Sequence, residues 1–375
     1  MNSEMLNQKK VKFGTYDAAL ATLLFVVFNF IFMEGYYAFA MKFGMTELGV
    51  VIAQFLVEAL FGAAAVAVAY FCKINIIKAA GMNKKISVSM FIYGALIAFC
   101  SIIFFASLTS SFLELLSLIG YTSSSSSFQI NTFAKYIGYV IAACVAPAVC
   151  EELLFRGLIQ SGLKKYGKWI SIISASLIFM LMHGGPDQTV HQFIIGIIVG
   201  LLFFETGNVW LGVIVHFFNN FISVTELYVF NMMFKSAEET VEESTEIAEA
   251  ISSTEVWSQF ALNLTIALVF AAVGFMIVRF LMKKMIQEDK KINSCVLNEN
   301  KADSAVLVDG VEIKTTMTVS DNQYAIEEDE LLKKPIKTDE KSEDNEPMTL
   351  TTKFLFAIPI AWLILTWILT FLSGL

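Results

Sequence analysis

Nine stretches of this chain are apolar over roughly the 20 residues that an α-helix needs to cross the hydrocarbon core of a bilayer. They fall at 16–41, 46–72, 87–110, 134–160, 169–185, 191–206, 209–231, 256–282 and 354–373. A backbone surrounded by lipid must satisfy its own hydrogen bonds, so such runs read as helices. The predicted fold is all-α: a polytopic transmembrane helix bundle of about nine spans, with a long polar loop on the cytoplasmic side. Composition agrees. Hydrophobic residues make up 56% of the 375 and charged residues 16%, against about 25% charged in a soluble domain. The lipid bilayer is therefore the first expected partner, and no nucleic acid is expected.

Lysine placement orients the spans, because short cytoplasmic loops carry the excess of basic residues. Lys9, Lys10 and Lys12 precede the first run, and Lys73, Lys78, Lys84 and Lys85 follow the second. Lys164, Lys165 and Lys168 follow the fourth, and Lys283, Lys284, Lys290 and Lys291 follow the eighth. With the N-terminus in the cytoplasm all four groups fall on that side, and the C-terminus falls on the other. The opposite side takes the serine-rich loop at 123–127 and the acidic loop at 236–255. The first run exceeds the roughly 7–15 residues of a signal-peptide core, so it reads as an uncleaved span. The Lys-, Asn-, Ile- and Phe-rich composition points to a bacterial plasma membrane.

Five segments follow. Residues 1–130 hold the N-terminal transmembrane helices, 131–232 a core with buried ionisable groups, and 233–286 the acidic loop and eighth span. Residues 287–352 are polar, with Tyr324 as their one aromatic side chain, and are expected to be mostly disordered apart from a hairpin signal at Asp309-Gly310. Residues 353–375 form the last helix. The five cysteines show no CxxC spacing, and those in apolar runs serve as small hydrophobes.

The fourth run breaks the apolar pattern. APAVCEELLFRGLIQ, residues 146–160, places Glu151, Glu152 and Arg156 inside a spanning helix. Each charge near the bilayer centre costs about 2.5–3.5 kcal/mol on insertion scales. At about 100° per residue, Glu152 and Arg156 share a face in the favourable order for an i,i+4 ion pair. Glu151 points roughly 140° away from Arg156 and needs a proton, a metal or partners from another helix. Spans four and five turn back near Gly167. Glu151 lies 16 residues before that glycine and His183 16 residues after it, so both rise about 24 Å from the turn. His216 and Asn220 share one face of the seventh span at a similar level. A carboxylate with a histidine can act as general base and acid on a water. Two histidines and a glutamate are also a catalytic zinc ligand set, so a divalent metal (Zn2+) on His183, His216 and Glu151 is a second expectation, though without the HExxH signature.

These residues resemble the motifs of the CPBP (Abi) family of intramembrane proteases, which includes the type II CAAX prenyl endopeptidases and the lysostaphin-resistance protein A-like proteins. EExxxR is Glu151, Glu152 and Arg156, FxxxH is Phe179 and His183, and HxxxN is His216 and Asn220. The resemblance covers residues 130–232. It implies hydrolysis of a peptide bond in a membrane-associated protein or peptide. Glu151 would activate water with help from His183, and His216 and Asn220 would bind a metal or the tetrahedral oxyanion. Glu152 and Arg156 would support the site. In a bacterial chain a prenylated substrate is not expected. Bacteriocin-type peptide maturation or immunity, or regulated processing of membrane proteins, fits better by this resemblance.

Other polar groups fall outside the motifs. His191 reads as an interface residue, Asn219 points about 100° from Asn220, and Asn29, Glu34 and Glu58 have no assigned partner. The rival reading is a non-enzymatic membrane protein, either a proton-coupled transporter or an envelope scaffold or immunity protein. A break at Gly184-Gly185-Pro186 would suit a transporter, but no inverted hydropathy repeat accompanies it.

Overall fold

A computed structural model describes residues 14–43, 47–122, 129–234, 253–303 and 348–375. Among the described residues the long elements are nine helices, with no strand: α1 Thr15–Phe43, α2 Glu47–Phe71, α3 Val88–Leu118, α4 Phe133–Tyr166, α5 Lys168–Met182, α6 Pro186–Thr206, α7 Val209–Phe234, α8 Ser253–Asp303 and α9 Leu350–Ser373. Eight have candidate spans long and apolar enough to cross a membrane, and α5 is shorter. The all-α polytopic bundle is as expected. The lysines at 9–12, the serine loop at 123–127, the acidic loop through residue 252 and the Asp309-Gly310 signal lie outside the described residues.

One expectation is corrected. Residues 287–303 belong to α8, which runs to Asp303, rather than to a disordered loop. Docking explains part of this. Asp289 is 1% exposed and accepts from Asn208 Nδ2 at 2.6 Å and Asn293 Nδ2 at 3.0 Å. Asn293 Oδ1 in turn accepts from the Lys85 backbone N–H at 2.9 Å. Polar residues with fixed partners can hold a helix that composition alone reads as loop.

The bundle has two principal apolar cores. One joins α1, α2, α4, α5 and α9 around Phe25, Phe61, Phe155 and Phe179. The other joins α3, α6, α7 and α8 around Ile97, Val199, Leu211 and Met285. Helix α4 packs against α1, α2, α5 and α7. Its winding changes along its length: Val140–Val145 and Leu153–Gln160 are π-helical, and the α-helical Ala146–Glu152 between them carries both glutamates. Such π segments recur at functional sites.

The Gly184-Gly185-Pro186 break is the turn between α5 and α6 and does not interrupt a span. Gly184 has φ +72°, a conformation open to glycine, and Pro186 opens α6 where a missing N–H is harmless. At the far end of α9, the Thr122 N–H donates to the Gly374 carbonyl at 2.7 Å, and the Tyr121 and Phe371 rings stack at 5.6 Å. Tyr121 and Thr122, at the end of the α3 turn, therefore share one end of the bundle with the end of α9.

Candidate active site

The predicted ion pair on α4 forms. Arg156 Nε lies 3.2 Å from Glu152 Oε2, with both side chains buried. Arg156 Nη2 also donates to the Gly196 carbonyl at 3.2 Å, and one turn later Gln160 Nε2 donates to the Gly200 carbonyl at 2.8 Å. These two bonds fasten α4 to α6. Glu152 does more than pair with arginine, because its Oε1 receives His216 Nδ1 at 3.0 Å. Gly212, one turn before His216, permits this approach: a Cβ there would stand 2.8 Å from Glu152 Oε2 and 2.6 Å from Val199 Cγ1.

Glu151 faces other helices, as its angular position on α4 requires. It is 3% exposed, and its Oε2 lies 3.9 Å from His216 Nε2. His216 thus presents one nitrogen to each of the adjacent glutamates. Glu58 of α2 lines the same cavity as Glu151, and its Oε1 accepts from Gln54 Nε2 at 2.8 Å. Glu58 Oε2 and Glu151 Oε2 have no hydrogen-bond partner among the described residues.

His183 sits at the C-terminal cap of α5. Its Nδ1 bonds the Phe179 carbonyl at 2.9 Å, and a carbonyl only accepts, so Nδ1 carries a proton. The Phe179 ring centre lies 5.0 Å from the His183 ring, 5.8 Å from the His216 ring and 5.0 Å from the Arg156 guanidinium. This phenylalanine packs the histidines and the arginine together.

Asn220 is anchored by a backbone irregularity. Pro147 has no N–H and cannot bond the carbonyl of Ala143 four residues back. Asn220 Nδ2 donates to that carbonyl at 2.9 Å. Asn220 Oδ1 accepts from Asn219 Nδ2 at 3.1 Å, and Asn219 Oδ1 contacts His191 Nε2 at 3.1 Å.

A cavity of roughly 1430 Å³ collects these groups. Glu151, His183, His216 and Asn220 all line it, while Glu152 and Arg156 stand behind it. Glu58, His191 and Asn219 line it too. Asn29 also reaches the cavity, and the Glu34 side chain lies outside the described ones. Sequence reasoning noted Glu58 as an acid in an apolar run but could not pair it. It set Asn219 aside on angle, although Asn219 is 2% exposed.

Among the described residues, no group of three His, Cys, Asp or Glu side chains is arranged to hold a metal ion. Glu151, His183 and His216 share the cavity, and Nδ1 of each histidine is bonded, to Phe179 and to Glu152, which leaves each Nε2 open. No step below is routed through a metal.

Residues 133–222 match the family model described as type II CAAX prenyl endopeptidase, Rce1-like. This segment is similar to that family. It contains α4, α5, α6 and the part of α7 that carries His216 and Asn220, and less than half of the 375-residue chain. The match agrees with the family resemblance read from the three motifs, and as a match to an endopeptidase family it supports an enzyme. Helices α1, α2, α3, α8 and α9, which wall the matched segment, lie outside it. Searches of curated proteins and of solved structures gave no match.

Proposed function

We propose that this chain is an intramembrane endopeptidase that hydrolyses a peptide bond in a membrane-associated protein or peptide, using water activated at Glu151. The observation that carries the reading is that Glu151 and His216 Nε2 face one cavity, 3.9 Å apart, with the Asn220 amide on its wall. A polar separation of that length suits a shared water. The cavity exceeds the roughly 300–1,000 Å³ of small-molecule pockets, which leaves room for a peptide segment. Its wall is largely apolar, with Phe25, Phe30 and Leu363 among the lining.

The chemistry then runs as follows. The Glu151 carboxylate takes a proton from the water as the water oxygen bonds the scissile carbonyl carbon. The carbonyl electron pair moves to oxygen, and an Asn220 N–H stabilises that oxyanion. Glu151 returns the proton to the amine nitrogen as the C–N bond breaks. His216, oriented by Glu152 at Nδ1, turns Nε2 towards the water site. His183, with its proton on Nδ1, offers Nε2 as an acceptor. Glu152 and Arg156 act through His216 and touch no reacting atom.

The lysine pattern supports a cytoplasmic N-terminus, and the composition supports a bacterial plasma membrane and a substrate that is not prenylated. The reading is tested by peptidomics of membranes from cells carrying the native chain or Glu151→Gln, with metal analysis of both purified proteins. Peptides released only by the native chain support it. An identical peptide set in both overturns it.

A further inference from the structure

We infer that His191 and Asn219 are positioning residues that fix which end of the Asn220 amide meets the reacting carbonyl; this rests on the peptidase reading. An asparagine amide is useful to an oxyanion only as a donor. Turned by 180° it would present its oxygen, and two electron-rich oxygens would repel. Asn220 is held against that rotation by a chain of hydrogen bonds that permits one direction only.

The chain starts at the Ala143 carbonyl, which accepts and cannot donate. The atom facing it at 2.9 Å must therefore be Asn220 Nδ2. That leaves Asn220 Oδ1 for Asn219, whose Nδ2 donates to it at 3.1 Å. Asn219 Oδ1 is then the acceptor left for His191, so the ring must donate from Nε2 across 3.1 Å. Asn219 is further tied by its own carbonyl, which accepts from Ser223 Oγ at 3.2 Å. Of the two N–H groups on Asn220 Nδ2, one is spent on Ala143. The other remains for the cavity that Asn220 lines.

His191 differs in this from the other two histidines. His183 and His216 use Nδ1 towards Phe179 and Glu152, while His191 uses Nε2 towards an amide oxygen. The relay thus makes a statement about proton position that needs no substrate. Neither His191 nor Asn219 belongs to the three motifs, so their part in the site comes from packing of α6 on α7.

The chain has three histidines in all, so 15N-histidine labelling of the full-length protein in lipid nanodiscs gives three ring systems, assigned by single substitutions. The expected spectrum has His191 protonated on Nε2, and His183 and His216 protonated on Nδ1. In parallel, the rate of new C-termini is read by mass spectrometry, with membrane fraction from cells lacking the gene as substrate at saturating and limiting amounts. Asn219→Asp keeps an acceptor for His191 but sets a second oxygen against Asn220 Oδ1. It should lower kcat by about 10²-fold with KM unchanged, as expected for loss of one oxyanion donor. His191→Phe should fall in the same way, and His191→Gln, which restores an N–H donor, should recover most of the rate. A His191 proton on Nδ1 overturns the inference alone. So does a native kcat in both Asn219→Asp and His191→Phe. No cleavage by the native protein, with His191 protonated on Nε2, overturns the peptidase reading and takes the positioning role with it.

Discussion

The molecule buries two polar clusters, and they are built to opposite rules. Around Asp289, the polar side chains find partners. Asn208 donates to Asp289 and caps α7 through the Trp210 N–H at 3.1 Å, Asn293 closes the other side, and Lys84 bonds the Thr206 carbonyl. The lining residues of the large cavity include none of these. Around Glu151, the Oε2 atoms of Glu58 and Glu151 and the Nη1 of Arg156 lack hydrogen-bond partners among the described residues, and the carboxyls open on that cavity. A buried polar group without a partner costs about 1–3 kcal/mol, more when charged. A fold that satisfies one cluster and leaves the other short holds the second for a ligand or a reaction. The Asp289 cluster joins α8 to the start of α3 and the α6–α7 turn, and its work is structural.

Substitutions can break or sharpen that contrast. The largest effect is expected from Glu151→Gln, which should lower hydrolysis by about 10²–10⁴-fold while circular dichroism shows unchanged helix content. Arg156→Leu leaves the Glu152 charge buried and unpaired. It should destabilise the protein by about 3–5 kcal/mol in denaturant titrations, with Glu152→Leu/Arg156→Leu recovering part of the loss. Asp289→Leu orphans the Asn208 donor and should cost about 1–3 kcal/mol, with the rate per folded molecule unchanged. A rate loss there beyond the unfolded fraction would erase the distinction between the clusters. The smallest effect is expected from Glu58→Gln, which keeps the side chain's size but removes the second carboxyl from the cavity wall. It should slow hydrolysis about tenfold, or ~1.4 kcal/mol in the barrier, without shifting stability.

The parts of this arrangement that were legible in the sequence are those governed by one helix or one turn. Helical periodicity places Glu152 with Arg156 and turns Glu151 away. Equal residue counts on either side of Gly167 put Glu151 and His183 at one level, and both reach the cavity. The parts that were not legible depend on how separate helices rotate against each other. Nothing in the α2 sequence sets the register that brings Glu58 to Glu151. The His216–Glu152 bond depends on Gly212 letting α7 close on α4. Asn219 lies about 100° from Asn220 on α7, yet its outward side meets α6, so His191 makes it part of the cavity wall. The start of the continuation of α8 to Asp303 escaped composition because Asp289 and Asn293 find polar partners on other elements while Ile292 packs on the second core.

The most direct test of the central claim is isotopic. Full-length native protein and Glu151→Gln, each in lipid nanodiscs, are incubated in 18O-water with membrane fraction from cells lacking the gene, and new C-termini are read by mass spectrometry. The account predicts new C-terminal carboxylates carrying 18O with the native protein and none above background with Glu151→Gln. New 18O-labelled termini in equal amount from both proteins would contradict it.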